Sequence, residues 1–310
     1  MKTAIATCKE FWQHDTGSHH PEQIARLTSI QEKIEITNYY PQLLQVETQK
    51  ASQENICRIH SQAYYDHFFQ TTAQGSGYFD PDTPFSQGSQ DAALLAAGTG
   101  IALADSILAG KAKNGIALVR PPGHHAEKDK AMGFCLFNNV AIAARYLQSQ
   151  GFEKIFIIDW DVHHGNGTEN AFYEDDSVFF VSSHQYPFYP GSGHQNDTGS
   201  GKGKGFNKNY PLQRGTGNEA LIDIFQEQIV KELDSFQPDC ILLSAGFDAH
   251  IEDPLGGLTI TTAGFETLTQ IVKTKAEELC QGRLVSFLEG GYNLKALAES
   301  VEAHLAVLAT

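Results

Sequence analysis

From about residue 115 onward the chain alternates short apolar runs with longer amphipathic stretches. That alternation restricts it to a mostly parallel sheet with helices on both faces, an α/β fold. The apolar runs at 115–119, 154–158, 178–181, 239–243 and 284–287 read as strands, each short and apolar as strands covered on both faces must be. After Gly217-Asn218, Ile222, Phe225, Ile229, Leu233 and Phe236 recur at three- and four-residue spacing opposite Asp223, Glu227 and Lys231, which predicts a helix. Similar patterns cover 91–109, 138–150, 263–279 and 294–308. No Pro- or Ser-rich linker and no internal repeat divides the chain, so its 310 residues are expected to form one large domain, 1–310. Two stretches rich in Gly and polar residues, 75–88 and 185–207, are expected as long functional loops.

The residues that follow each predicted strand carry the chemistry. After 115–119 comes Arg120-Pro121-Pro122-Gly123-His124-His125, and after 154–158 comes Asp159-Trp160-Asp161-Val162-His163-His164-Gly165-Asn166-Gly167. The other three are followed by Ser182-Ser183-His184, by Ser244-Ala245-Gly246-Phe247-Asp248 and by Leu288-Glu289-Gly290-Gly291-Tyr292. In an open parallel sheet the carboxyl ends share one edge, where ligands bind, so these motifs imply a single site.

Within that site, Asp161 and His163 are two apart, and in extended backbone such residues point the same way. Asp248 on a neighbouring strand end can complete three O/N ligands with an open position, the arrangement of a catalytic zinc. His124 and His125 supply groups that titrate near neutral pH, and Asp159 can fix the tautomer of one of them. Tyr292, after two glycines, can bring a phenol over the metal to stabilise an oxyanion.

Composition narrows the partners. Lys plus Arg number 22 and Asp plus Glu 37, a formal charge of −15, which disfavours a non-specific grip on nucleic acid or on anionic lipid. The five cysteines form no CxxC pair and read as small buried hydrophobes in a reducing compartment. The first residues reach Lys9 before any apolar run long enough for a signal peptide, and no stretch approaches the roughly 20 apolar residues of a membrane span. A cytoplasmic protein without membrane attachment is the expectation.

Taken together the motifs resemble the zinc-dependent histone deacetylase family, in particular its class II and bacterial amidohydrolase-like members. The resemblance runs through His19-His20-Pro21-Glu22, residues 120–125, Gly133-Phe134-Cys135-Leu136-Phe137-Asn138-Asn139, residues 159–168, Tyr189-Pro190-Gly191-Ser192-Gly193, Gly246-Phe247-Asp248, Asp253-Pro254-Leu255-Gly256-Gly257 and Glu289-Gly290-Gly291-Tyr292. It implies the arginase/deacetylase-like fold, a metal held by Asp161, His163 and Asp248, His124 and His125 as general base and acid, and Tyr292 as oxyanion donor. The ion would be zinc, with ferrous iron suited to the same ligands. It further implies a channel for an acyl-lysine stem between Phe134 and Tyr189, with Leu255 at its wall, the Gly133 carbonyl near the amide and Asp82 at the rim. Tyr189 stands where phenylalanine is more usual. Asp159, Asp161, His163, Ser182 and Ser183 match a structural potassium site. Asn166 stands where class I members carry aspartate, giving the second histidine a neutral partner. Cys135 is expected to pack rather than to react.

The implied reaction is metal-assisted hydrolysis of the amide of acetyl-lysine or a related acylated amine. Three rivals share the fold or the motifs. A dinuclear manganese ureohydrolase needs carboxylates where this chain has Gly165 and Gly246. A non-catalytic acyl-lysine-binding scaffold is disfavoured by Tyr292 and both histidines. An acetylpolyamine amidohydrolase would suit the acidic charge, but apolar Leu255 stands where such enzymes that use a gatekeeper glutamate place it.

Overall fold

The computed structural model describes residues 2–310. Its strands are β1 (Lys2–Ala6), β2 (Leu44–Gln45), β3 (Gly77–Asp80), β4 (Thr83–Phe85), β5 (Ala112–Ala117), β6 (Ile155–Asp159), β7 (Val178–Gln185), β8 (Asn207–Leu212), β9 (Cys240–Ala245) and β10 (Leu284–Leu288). Eight of them form one sheet in the order β2-β1-β5-β10-β9-β6-β7-β8, and β3 and β4 pair as a separate hairpin. Every pairing in the large sheet is parallel. The five strands legible in the sequence are β5, β6, β7, β9 and β10, which become neighbours in space as β5-β10-β9-β6-β7.

Their register aligns the polar motifs. One row of Cα partners crosses the sheet through Ala117, Phe287, Ser244, Asp159 and Ser182. Each motif leaves its strand at or just beyond this row, so the side chains that follow converge above the centre of the sheet's carboxyl edge. Below the row, all residues of β6, β9 and β10 are buried, as strands covered on both faces require.

The helical periodicities are realised at Ser89–Leu108, Asn139–Ser149, Thr262–Cys280 and Leu294–Ala309. The stretch from Asn218 to Phe236 is helical with a π turn at Phe225–Ile229. Asn138, Thr261 and Asn293 begin three of these helices by accepting the backbone N–H three residues on. The helix Ser89–Leu108 departs from the expectation that no stretch approaches a membrane span, because it is long and apolar enough to cross one. It is instead mostly buried and packs on β5 and on the helix Asn139–Ser149; its apolar surface is used up inside the fold.

The stretch 75–88 is not simply a loop, since β3 and β4 fold it into a hairpin that carries Asp82 at its turn. The stretch 185–207 joins the end of β7 to the start of β8 and is irregular over 186–206 apart from a short 3-10 turn at Gly201–Gly203.

Two histidines outside the strand-end motifs are buried as neutral groups. His304 has Nδ1 2.7 Å from Thr269 Oγ1 and Nε2 2.9 Å from Ser286 Oγ, and burial lowers it to about 3. His60 donates to the Glu127 carbonyl and accepts from the Asn138 N–H, and burial lowers it to about 4. In the unfolded chain both take a proton near pH 6.5, so the unfolded state binds more protons between that pH and the folded values. Stability from these groups is complete above about pH 6.5 and falls as the pH drops towards about 4. Urea midpoints measured across this window are expected to decline with acid, with a shallower slope for His304→Gln; equal slopes would contradict the assignment.

Candidate active site

Asp161, His163 and Asp248 offer one ligand atom each within 4.8 Å of one another. His163 Nδ1 lies 3.1 Å from Asp161 Oδ1 and 3.2 Å from Asp248 Oδ2. Both carboxylates are fully buried and are held by backbone donors. Val162 N–H donates to Asp248 at 2.8 Å, and the N–H groups of His163 and Gly290 donate to Asp161 at 2.9 and 2.8 Å. Burial and the charge of Asp161 push Asp248 up to about 7. Burial opposes the charging of His163, yet its hydrogen bonds to Asp161 and Asp248 raise it to about 10. Two carboxylates sunk together call for positive charge at the point they share with His163. A divalent cation fits that demand, and the O, N, O donor set suits zinc or ferrous iron.

The histidine doublet sits beside this cluster with two unlike partners. His124 Nδ1 lies 2.9 Å from Asp159 Oδ2, and its Nε2 is 3.8 Å from Asp161 Oδ2. Burial alone would lower His124, but Asp159, Asp161 and Glu289 raise it well above its ordinary value. His125 Nδ1 lies 2.7 Å from the neutral Asn166 Oδ1. Burial, followed by the charges of His124 and His163, holds it well below its ordinary value. Adjacent residues thus favour opposite protonation states, the separation an acid–base pair needs.

Tyr292 packs edge-on against Phe134 at 5.9 Å, and its ring faces the Arg26 guanidinium at 5.0 Å. Arg26 donates from Nε to the Gly291 carbonyl at 2.6 Å and from Nη2 to the Glu289 carbonyl. Asp253 Oδ2 accepts the Tyr292 N–H at 2.6 Å, while its Oδ1 accepts the Leu255 N–H at 2.9 Å. One carboxylate therefore ties the tyrosine to the expected channel wall. Arg26 in turn is anchored by Glu22, which also bonds Arg120 through both carboxylate oxygens. Burial would raise Glu22, but Arg120 and Arg26 hold it at about 2.

Of the residues expected to line a channel, Phe134 and Tyr189 lie against Tyr292, His125 and His163. Gly133 and Phe134 both adopt left-handed backbone, with φ of 56° and 68°. At Phe134 this is unusual, and such strain concentrates at ligand sites. The Phe134 N–H is fixed by the Thr83 hydroxyl, and its ring meets His20 at 4.6 Å. Tyr189 stands edge-on to His125 at 5.2 Å and to His163 at 5.9 Å. Asp82 bonds the Thr83 hydroxyl, and its carbonyl accepts from His20 Nε2. Cys135 is buried, with its Sγ 3.3 Å from the Gly133 carbonyl, a packing position. Asp159 and Ser182 are register partners on β6 and β7, and the neighbouring Ser183 hydroxyl is buried without a partner.

A second carboxylate-bound metal does not fit here. A Cβ on Gly246 would lie 2.1 Å from Asp161 Oδ2, and one on Gly165 would lie 2.2 Å from Asp159 Oδ2. Several residues of the site had no role in the sequence reading. Phe188 stacks on His163 at 5.3 Å, though it was visible only as an aromatic beside Tyr189. Arg26 left just one signal, its spacing of four from Glu22. Glu289 and Asp253 stood inside recognised motifs with no partner to suggest what they hold.

Comparison with known proteins agrees with this geometry. The histone deacetylase domain model matches residues 20–308. A probable deacetylase of Archaeoglobus fulgidus is 39% identical over 297 residues, covering 95% of this chain and 82% of that protein. A histone deacetylase-like amidohydrolase of Pseudomonas aeruginosa is 38% identical, covering 88% of this chain and 72% of that one. The crystal structure of the HDA15 HD domain superposes with a TM-score of 0.94 at 38% identity, covering 99% of this chain and 90% of that one. With its parallel sheet, its motif-bearing carboxyl edge and a family match over nearly its whole length, the chain belongs to the histone deacetylase family.

Proposed function

We propose that residues 1–310 act as one catalytic unit, a zinc-dependent deacetylase that hydrolyses the amide of acetyl-lysine in a peptide or protein. The observation that carries this reading is the Asp161, His163 and Asp248 cluster flanked by a histidine doublet with one charged and one neutral partner. Zinc, or ferrous iron at the same ligands, would supply Lewis-acid polarisation of the amide carbonyl and of a water. The remaining steps belong to the chain. His125, neutral and oriented by Asn166, takes the water's proton, and a protonated histidine of the doublet returns one to the departing amine. His124, paired with Asp159, keeps positive charge beside the carboxylates. Tyr292 donates its hydroxyl to the developing oxyanion, and Arg26 beneath its ring holds it in place.

Phe134 and Tyr189 flank the acyl-lysine stem, Leu255 walls it, the Gly133 carbonyl meets the amide and Asp82 grips the substrate backbone at the rim. A potassium ion at Asp159, Asp161, His163, Ser182 and Ser183 would set the field behind the histidines, with Asp159 and Ser182 side by side as register partners on β6 and β7. The partner is an acylated protein or peptide, with no nucleic acid and no membrane, in the cytoplasm. An acetylated polyamine is the competing substrate, and Leu255, an apolar side chain that offers no carboxylate to a second ammonium, argues against it.

Two measurements test these roles. In the metal-loaded protein, Tyr292→Phe is expected to lower kcat on an acetyl-lysine peptide by about 10²–10³-fold with little change in KM. Wild-type turnover no faster than that of the variant would overturn the catalytic reading. Leu255→Glu places a carboxylate beside the stem, and a pair near 4 Å at the protein surface is worth about 1–4 kcal/mol. The ratio of kcat/KM for an acetylated polyamine to that for the peptide is therefore expected to rise about tenfold or more; an unchanged ratio would remove Leu255 from the channel wall.

A further inference from the structure

Glu289 follows β10 directly and is fully buried, yet no lysine or arginine pairs with its carboxylate. Arg26 bonds the Glu289 backbone carbonyl instead. Burial pushes its carboxyl up to about 7, against the opposing pull of His124 and of the Gly123 N–H. An acid placed so expensively needs a reason.

The reason lies in what its two oxygens reach. Oε2 accepts the Gly123 N–H at 2.7 Å and the His124 N–H at 3.2 Å, and Oε1 accepts the Ser244 hydroxyl at 3.2 Å. Because β10 lies between β5 and β9, one side chain joins the turn after β5 to the end of β9. That turn has few other handles. Pro121 and Pro122 have no N–H, so Gly123 is the first residue after Arg120 that a neighbour can hold by its amide. On its far side the His124 carbonyl accepts the N–H groups of Gly167 and Thr168 at 3.0 and 3.3 Å. His124 is thus pinned at both ends of its backbone, by Glu289 on one side and by the helix Asn166–Phe172 on the other.

We propose that Glu289 is a positioning residue for the histidine doublet, its carboxylate clamping the Gly123-His124 backbone so that both imidazoles are aimed at the reacting amide. The proposal rests on the deacetylase reading for its catalytic consequence, while the clamp itself stands on the geometry. Asp159 and Asn166 fix how the rings are turned, and Glu289 fixes where they start. A displacement of about 1 Å in such a group costs about 10²-fold in rate.

Glu289→Leu and Glu289→Gln in the full-length, metal-loaded protein separate this role from a merely structural one. The Gln amide oxygen can accept both N–H groups while its NH₂ donates to Ser244, so Gln retains the clamp and Leu loses it. Hydrogen exchange of the segment 120–126 is expected to be as slow in Glu289→Gln as in wild type and faster in Glu289→Leu. On an acetyl-lysine peptide, kcat is expected to fall about a hundredfold in Glu289→Leu, with KM within about twofold and metal content unchanged, and to return to within about tenfold of wild type in Glu289→Gln. If Glu289→Leu does not fold, Glu289→Ser, too short to reach Gly123, is read in the same way. Wild-type exchange in the Leu variant, a loss of kcat matched by loss of metal, or equal losses in Leu and Gln would overturn the proposal. Absence of turnover by the wild-type enzyme would instead sink the acyl-lysine reading, and the exchange data would still decide the clamp.

Discussion

Two carboxylates buried at one point, Asp161 and Asp248, set the terms for everything around them. Neither meets water, and no lysine or arginine pairs with either. Backbone N–H groups from two loops converge on them, and His163 touches both. Such an arrangement is costly in a fold that does not bring a cation to it. The sheet makes it attainable, because the shared register row lifts the ends of β6, β9 and β10 to one height. Glycines at positions 246 and 290 let backbone approach the carboxylates where a Cβ would collide.

The same charge organises the proton chemistry. Asp159 draws His124 towards the imidazolium form, and Asp161 adds to that pull. His125, one residue on, turns to Asn166 and feels the neighbouring imidazoles more than the carboxylates. A neutral amide at residue 166 thus separates two otherwise similar side chains. Farther out, Glu22, Arg26 and Arg120 form a buried network beneath Tyr292, linking the first part of the chain to the loop after β10. Breaking such a network typically costs about 3–5 kcal/mol, so these groups contribute rigidity to the tyrosine as well as to the fold.

The centre of the molecule was legible in the sequence because centrality leaves a mark. Strands β5, β6, β7, β9 and β10 are central and each contains a short, mostly apolar run, and the polar residues that follow those runs stand out by contrast. The margins left no such mark. Strand β8, at the edge, buries Asn207 and Asn209, whose amides bond Glu169, so its pattern looks like loop. Strand β2 is two residues long. The hairpin of β3 and β4 holds Gly, Asp and Pro within its strands, and its shape depends on packing among Phe68, Phe79 and Phe85. The side chains that contact one another across long sequence distances, Arg26 under Tyr292 and Glu289 against Gly123, carry no periodic signal. Their roles emerge only once the sheet order is known.

The central claim is that the buried carboxylate pair is built for one divalent cation, and its most direct test is elemental analysis of the purified protein after equilibration with zinc and removal of excess ion. Wild type is expected to retain one divalent metal per chain, and Asp248→Asn to retain far less while remaining folded by circular dichroism. Two metals per wild-type chain, or undiminished binding in a folded Asp248→Asn, would contradict the account.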